Sequence, residues 1–362
     1  MTTRVDVLVA GLGPGGACAA RTAAEAGASV IAVDRRREVG VPVQCAEFVP
    51  LPMGSYALGA GVLRQRVEGM TTLLPSGAKM VSNFPGIMID RAKFDQALAQ
   101  MARETGAELL LGTTLDGVDP ARSIATLRRD GSTREIHYGV LLAADGPRSR
   151  VGAALGLAAL DTVDSRQYAV PLLRRHGHTD IFLSADYPGG YAWLFPKGRV
   201  ANLGVGMDSR VAPDLKGPLD ALHARLAAQG LVRRDILRRT GGPIPVGGLR
   251  GELVVGNVLF VGDAAGLAHP ITGAGIAAAV ISGEAAGLAA GRFLAGRADA
   301  LADYAAEVRD QFEPALARAV ERRRWLARER RRSAAGADAT YRRGWIAFPE
   351  YFDAALELGF AA

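Results

Sequence analysis

Residues 4–34 read RVDVLVAGLGPGGACAARTAAEAGASVIAVD, and this stretch decides the fold. RVDVLVA at 4–10 is a short apolar run bounded by glycine, the signature of a buried strand. Gly11, Gly13 and Gly16 follow in the spacing Gly-x-Gly-x-x-Gly, with Pro14 and Gly15 inside it. The first glycine allows a tight turn, the second lets backbone approach a pyrophosphate, and the third lets a helix lie close to the strand. Ala20, Ala24 and Gly27 continue the small side of that helix. Its N-terminus, worth about half a positive charge, would face a diphosphate. A second apolar strand, SVIAV at 29–33, ends on Asp34, followed by Arg35. An acidic side chain at this position can accept both hydroxyls of an adenosine ribose. The unit is therefore β-α-β with parallel strands, and alone it does not separate FAD from NAD.

The 328 residues after Asp34, of 362 in all, are enough for a second domain, or for one large α/β body with an insertion. A content of 49% hydrophobic and 22% charged residues excludes wholesale disorder. Two cysteines, Cys18 and Cys45, make neither a disulfide framework nor a metal site, and no metal is expected. The net charge is +6, and of 43 basic residues only Lys79, Lys93, Lys197 and Lys216 are lysine. An arginine excess of that kind fits codon bias in a GC-rich genome. It is also compatible with an anionic membrane surface or substrate. No recognition module for nucleic acid is present. The apolar N-terminus lacks a basic leader. The segment Ile271–Ala290 is rich in Gly and Ala and carries Glu284, which reads as a buried helix. These features lead us to expect a monomeric, cytoplasmic protein, with peripheral contact at the inner face of the membrane compatible with them.

Further along, 92–105 has helical spacing, AELLL at 107–111 reads as a strand, and 122–142 as a hairpin turning at Asp130-Gly131. LLAADG at 141–146 is a strand ending in a turn. Between 165 and 210 the runs YAVPLL, DIFLS, YAWLFP and RVANLGVG predict an antiparallel sheet, a platform for substrate. Residues 218–238 read as a helix and LVVGNVLFV at 253–261 as one buried strand. A small-residue helix follows to about 296, and then an Arg-rich helical end with an aromatic tail.

A second dinucleotide signal lies at 259–276, LFVGDAAGLAHPITGAGI. Gly262 and Asp263 end a strand, where Asp263 can accept a hydrogen bond from a sugar-alcohol chain or simply cap a helix. Gly273, Ala274, Gly275 and Ile276 would present backbone N–H groups at a helix start, a place for the negative charge a reduced flavin holds at N1 and O2. His269 sits in the same stretch, where a structural role competes with a catalytic one.

The two segments, with AADGPRSRVG at 143–152 between them, resemble the FAD-binding fold of the p-hydroxybenzoate hydroxylase type over most of residues 1–300. That resemblance puts Asp145 and Gly146 in a turn near both FAD and nicotinamide, and Asp263 at the ribityl chain. A narrower resemblance, to the geranylgeranyl reductase family, rests on three pieces. VGVPVQCAEFV at 39–49 is similar to that family's segment beside the flavin, MIDRAKFDQALA at 88–99 to its Arg-x-x-Phe-Asp helix start, and YPGGYAWLFPKGRVANLGVG at 187–206 to its substrate-domain strand pair. The family shows a glycine soon after the Glu of Cys-x-Glu, whereas here Phe48, Val49 and Pro50 follow.

The resemblance implies an α/β (α+β mixed) architecture: a Rossmann-like FAD-binding domain with a parallel sheet at 1–75, 85–160 and 250–300, an antiparallel-sheet substrate domain at 161–249, and a C-terminal helical cap at 301–362. Cys45 and Ala46 would face the isoalloxazine ring, with Cys45 as a proton donor or a packed thiol. Glu47 would supply protons or be a solvated loop carboxylate. Arg91 opens a helix, where a cation opposes the dipole, and so hints at an anionic partner, FAD. Tyr191, Trp193 and Phe195 alternate on one strand face, which suits either an ordinary core or the wall of a prenyl pocket. Residues 318–332 carry eight Arg, either a solvated face or a dock for lipid or diphosphate anions. The aromatic tail (Trp345, Phe348, Tyr351, Phe352, Phe360) would cap the pocket.

Three functions fit this reading. The first is an FAD-dependent reductase of prenyl double bonds, with NAD(P)H or ferredoxin as electron donor. The second is a flavin monooxygenase acting on a small molecule or peptide. The third is a non-catalytic prenyl-binding chaperone. No second Gly-x-Gly-x-x-Gly exists, so no separate nicotinamide domain is expected.

Overall fold

Strand Thr3–Ala10 lies inside an eight-stranded sheet because both of its faces are apolar. Val30–Asp34 and Ser132–Ala143 flank it, Glu108–Leu111 lies beyond the first and Val258–Phe260 beyond the second, all parallel to their neighbours. The register sets Ala10 opposite Val33 and Ala143, and Ala143 opposite Phe260. The carboxyl ends of these strands are therefore level, and the loops after them open on one edge, where open α/β sheets hold their ligands. The computed structural model describes residues 3–56, 59–332 and 338–353.

Helix α1 (Pro14–Glu25) returns from the first strand, and α2 (Arg91–Glu104) lies beside it. The short α3 (Arg150–Ala154) follows the Asp145 turn. The second sheet runs in the order Arg238–Pro245, Thr162–Pro171, Val200–Met207, Tyr191–Lys197, His178–Phe182, Gly69–Leu73, Lys79–Ser82. On one face α4 (Lys216–Ala228) packs Leu219, Leu222 and Leu226 against Tyr168, Leu194 and Leu203. On the other, Met70, Ile181 and Trp193 cluster with Tyr341, Trp345 and Phe348 from the C-terminal region.

The apolar segment foreseen at 271–290 forms α5 (Ile276–Leu294), long and apolar enough by length and composition to cross a membrane. It lies on α1 instead: a Cβ at Gly283 would run into the Gly15 backbone, and one at Gly287 into the Ala19 carbonyl. Every fourth residue is thus small where the two helices touch. Helix α6 (Ala300–Arg332) and α7 (Asp338–Gly344) complete the helical end.

Three readings need correction. The helix foreseen over 218–238 stops at Ala228, because Gly230 takes a left-handed φ of 67° and the chain turns back to bridge Val232 to Leu172. The strand foreseen at 253–261 is a tight hairpin, Val254–Val255 and Val258–Phe260, broken at Gly256-Asn257. Residues 69–73, assigned with 1–75 to the first domain, pair with His178–Phe182 and so belong to the second sheet. A smaller three-stranded sheet, Phe48–Pro50, Gly86–Ile89 and Leu63–Val67, lies between these parts in the chain.

Candidate functional site

In the turn after the first strand the glycines do different jobs. Gly11 adopts φ +99°, and a Cβ there or at Gly16 would strike the neighbouring backbone, so both are fixed by the fold. A Cβ at Gly13 would meet nothing within 4 Å. Among Gly11, Gly13, Gly15 and Gly16 this one alone faces open space, as a backbone approached by a ligand should. Gly13 is also the N-cap of α1, with no side chain capping it and no acidic residue in the first turn. Helix α5 begins in the same way: Gly275 is its N-cap, no side chain caps it, and Ile276 opens it. Two helix starts thus keep free N–H donors, the arrangement an anion satisfies. Asp34 holds the glycine loop in place, its Oδ2 accepting the Leu12 N–H at 2.9 Å and its Oδ1 the Arg36 N–H at 2.8 Å. Arg35 beside it is exposed.

Asp263 follows the Val258–Phe260 strand within a short 3-10 turn, Gly262–Ala265, and does not cap it. No described residue hydrogen-bonds its carboxylate, and burial raises its pKa while the Arg91 charge lowers it. Asp145 gives one oxygen to the Val151 N–H (3.1 Å), while Oδ1 is buried without a partner among the described residues. Gly146 is left-handed, with open space where a Cβ would stand. Uncapped helix starts, an open glycine, the unbonded Asp263 carboxyl and the unpartnered Asp145 Oδ1, all on one sheet edge, fit a flavin dinucleotide.

Arg91 does not stand free as the dipole argument implied. Its guanidinium lies bidentate on Asp95, four residues on, at 2.7 and 3.1 Å. Burial raises the Asp95 pKa, against the pull of Arg91. Arg91 also acts on the Cys45 sulfur: burial pushes that thiol up, and the guanidinium pulls it back.

The Cys45 loop hangs from the second sheet. Gln167 donates to the Cys45 carbonyl (2.9 Å), Asn202 to the Ala46 carbonyl (3.0 Å), and Thr240 to the Val43 carbonyl (2.7 Å). Glu47 is not a solvated carboxylate. It is 0% exposed, and its oxygens accept from the Arg91 N–H (2.9 Å), Lys197 Nζ (2.7 Å) and Asn202 Nδ2 (2.8 Å).

Tyr191, Trp193 and Phe195 do share one face, and they belong to a longer row. Ring centroids step from Phe84 to Phe48 (6.0 Å), Phe195 (6.0 Å), Trp193 (6.5 Å), Tyr191 (5.6 Å) and Trp345 (4.8 Å). Phe84, at 45% exposure, ends the row at the surface. Trp345 and Phe348 of the aromatic tail cover its inner end; Phe360 lies outside the described residues. Trp193 is only 5% exposed and donates its indole N–H to Gln167. The Tyr191 hydroxyl donates to the Thr272 carbonyl (2.6 Å), which joins the row to the turn before α5. His269 organises that turn, its Nδ1 accepting the Ile271 and Thr272 N–H groups at 3.3 Å. Burial depresses its pKa to about 4, so the ring is neutral.

Gln167, Asn202, Lys197 and Asp95 were not singled out in the sequence. Asp95 stood in the helix-start motif, and Lys197 and Asn202 in the strand pair, but only their contacts reveal what they hold. The Arg-rich helix is no uniform solvated face. Arg322 is 4% exposed and donates to the Tyr351 and Asp353 carbonyls. Arg323 donates to the Gly189 carbonyl, and Arg324 is exposed. The last two line a cavity of about 470 Å³ with Asp208 and Arg210, which shares no residue with the Cys45 loop or the aromatic row.

Comparison with known proteins gives the family and the fold. The family described as FAD dependent oxidoreductase matches residues 6–139. A digeranylgeranylglycerophospholipid reductase of Methanocella arvoryzae is 36% identical, over 87% of this chain and 86% of its own. One from Thermoplasma volcanium is 30% identical over 90% and 87%. A geranylgeranyl bacteriochlorophyll reductase-like protein from Thermoplasma acidophilum superposes with a TM-score of 0.83 at 28% identity, covering 89% of this chain and 88% of that one. A flavin-dependent halogenase, at TM-score 0.74 and 18% identity over 96% and 68% of the two chains, shares the fold.

Proposed function

The chain belongs to the geranylgeranyl reductase family of FAD-dependent oxidoreductases, and from that premise we propose that it saturates isolated carbon–carbon double bonds in the prenyl chains of a lipid. The observation that carries the proposal is the position of the Cys45 loop. The Arg91 charge acts on the Cys45 thiol from the side where FAD would lie, and Gln167 joins the Cys45 carbonyl to Trp193 of the aromatic row on the other. An apolar chain lying along that row would reach the flavin site at this loop.

FAD would lie with its diphosphate on the α1 N-terminus, its adenosine ribose at Asp34, and its ribityl chain at Asp263. Bound and reduced, it supplies a hydride to one alkene carbon. The second carbon needs a proton, and burial keeps the Cys45 thiol protonated at neutral pH. The aromatic row orients the chain and keeps water from the reacting carbons. The electron donor, NAD(P)H or ferredoxin, would dock transiently. The lipid itself would be drawn from the inner face of the membrane.

The test is anaerobic mixing of reduced enzyme with geranylgeranyl lipids. Products heavier by two hydrogens per reduced bond, with matching flavin reoxidation, are expected. Reoxidation only in the presence of oxygen, with hydroxylated product, would replace the reductase reading with a monooxygenase.

A further inference from the structure

Glu47 combines two features that rarely occur together. It is a non-glycine residue at φ +69°, a conformation glycine takes at no cost, and it is an acidic residue with no exposed surface. Its carboxylate accounts for both. Oε1 accepts the backbone N–H of Arg91 at the start of α2, and Oε2 accepts Lys197 from strand Tyr191–Lys197 and Asn202 from strand Val200–Met207. Lys197 is itself largely buried, so the pair is shielded from water. The left-handed turn directs the Glu47 N–H at the Cys45 sulfur, 3.2 Å away, while the Glu47 carbonyl accepts the Ile89 N–H at 2.9 Å. Asn202 spends its other N–H on the Ala46 carbonyl. Each carboxylate oxygen is already taken by donors, and none of these contacts requires a proton to leave.

We propose that Glu47 is a positioning residue, whose carboxylate braces α2 against two strands of the second sheet and so fixes Cys45 and Ala46 at the flavin face. This deepens the reductase reading and rests on it, since a fixed thiol matters only if the thiol meets the substrate. Glu47 touches neither reacting carbon nor flavin; it acts through Cys45. The charged and titratable groups around that sulfur are Glu47 itself, Arg91 from α2 and Tyr191 from the second sheet. Arg91 is in turn held by Asp95, and Glu47 by Lys197.

The experiment compares FAD-loaded Glu47→Gln, Lys197→Met, the double variant and Asn202→Leu. Retained flavin reports that each has folded. A loop displaced by about 1 Å lowers kcat by roughly 10²-fold, with KM for a geranylgeranyl lipid within about threefold of the parent. The double variant should fall no further than the worse single, because the two residues act as one unit. The limbs of the kcat–pH profile should stay in place, Lys197→Arg should restore most of the activity, and the visible absorption of bound FAD should shift alike in all weakened variants. Loss of a pH limb in Glu47→Gln would make Glu47 a proton-transfer group, and multiplicative losses would make the two residues independent; either overturns the brace. The absorption needs no lipid. If the parent reduces no prenyl chain while the spectra still shift together, the brace stands and the reductase reading falls. If turnover stands and neither spectra nor kcat move, the brace falls.

Discussion

Trp193 donates its indole N–H to the side-chain oxygen of Gln167 at 3.0 Å, and the amide of that same Gln167 holds the Cys45 carbonyl at 2.9 Å. One glutamine therefore joins the aromatic row to the cysteine loop. Gln167→Leu leaves both a buried N–H and a carbonyl without partners, at a cost of about 1–3 kcal/mol each. The melting temperature should drop and product pattern should change together. A variant with parental stability and parental products would show the link to be idle. Trp193→Ala would remove a buried ring as well and lower stability by roughly 3–5 kcal/mol, so Trp193→Phe is the better probe of substrate contact.

The glycine loop offers a contrast between two neighbours. Gly13→Ala adds a methyl group where the protein has open space, so the apoprotein should melt as the parent does but lose FAD affinity. Gly16→Ala drives the same methyl into the Gly11 carbonyl and should not fold normally. Flavin content and apoprotein melting measure the two effects separately. Full FAD occupancy in Gly13→Ala would move the diphosphate away from this loop.

Cys45→Ser should keep bound FAD, because the Cys45 and Ala46 carbonyls anchor the loop and a serine oxygen can accept the Glu47 N–H as the sulfur does. Serine is a much weaker acid than a thiol, so turnover on the prenyl substrate should fall by at least about tenfold. Unchanged turnover would make Cys45 a packing residue.

His269 gives a pH dependence of definite sign. Its pKa is near 4 in the folded chain and about 6.5 unfolded, so the fold holds fewer protons between those values. Its contribution is present above pH 6.5 and is lost as pH falls through 4, up to about 3 kcal/mol. His269→Asn, which can still accept a backbone N–H, should flatten the acid side of the stability curve. An acid slope equal to that of the parent would refute this.

Arg322 and Arg324 are near neighbours on α6 and should behave oppositely. Arg322 is buried on two carbonyls and lies over the Tyr351 ring, so Arg322→Ala should destabilise at any salt concentration. Arg324→Ala should leave melting within about 0.5 kcal/mol of the parent. Equal effects in urea titrations at low and high salt would contradict the difference in burial.

The glycine turn and the Asp34 strand end were legible because their constraints are local. Gly11, Gly13, Gly16 and Asp34 are set by the geometry of one turn and one strand end, and such turns have few sequence solutions. The antiparallel sheet was legible from short apolar runs set between Pro/Gly turns. The hairpin at Gly256-Asn257 was hidden because an apolar run reads alike with or without a tight turn inside it. Glu47, Lys197 and Asn202 meet across about 150 residues of chain, and no local pattern marks a buried ion pair of that span. The Arg-rich stretch misled for the converse reason: charge patterning reports composition, whereas the burial of Arg322 depends on where Tyr351 lands.

The seam between α1 and α5 bears on how the protein is made. Gly13 and Gly275 start the two helices that would share the dinucleotide, and some 260 residues of chain separate them. A ribosome releases Gly15 and Ala19 long before Gly283 and Gly287 exist to cover them. Through most of translation the nascent first unit therefore carries a bare strip of small apolar side chains beside a half-built pocket, a surface for chaperones to shield. With donors drawn from both helix starts, flavin loading would wait for α5, and a polypeptide cut short before Gly275 would leave the exit tunnel with only half of the cradle.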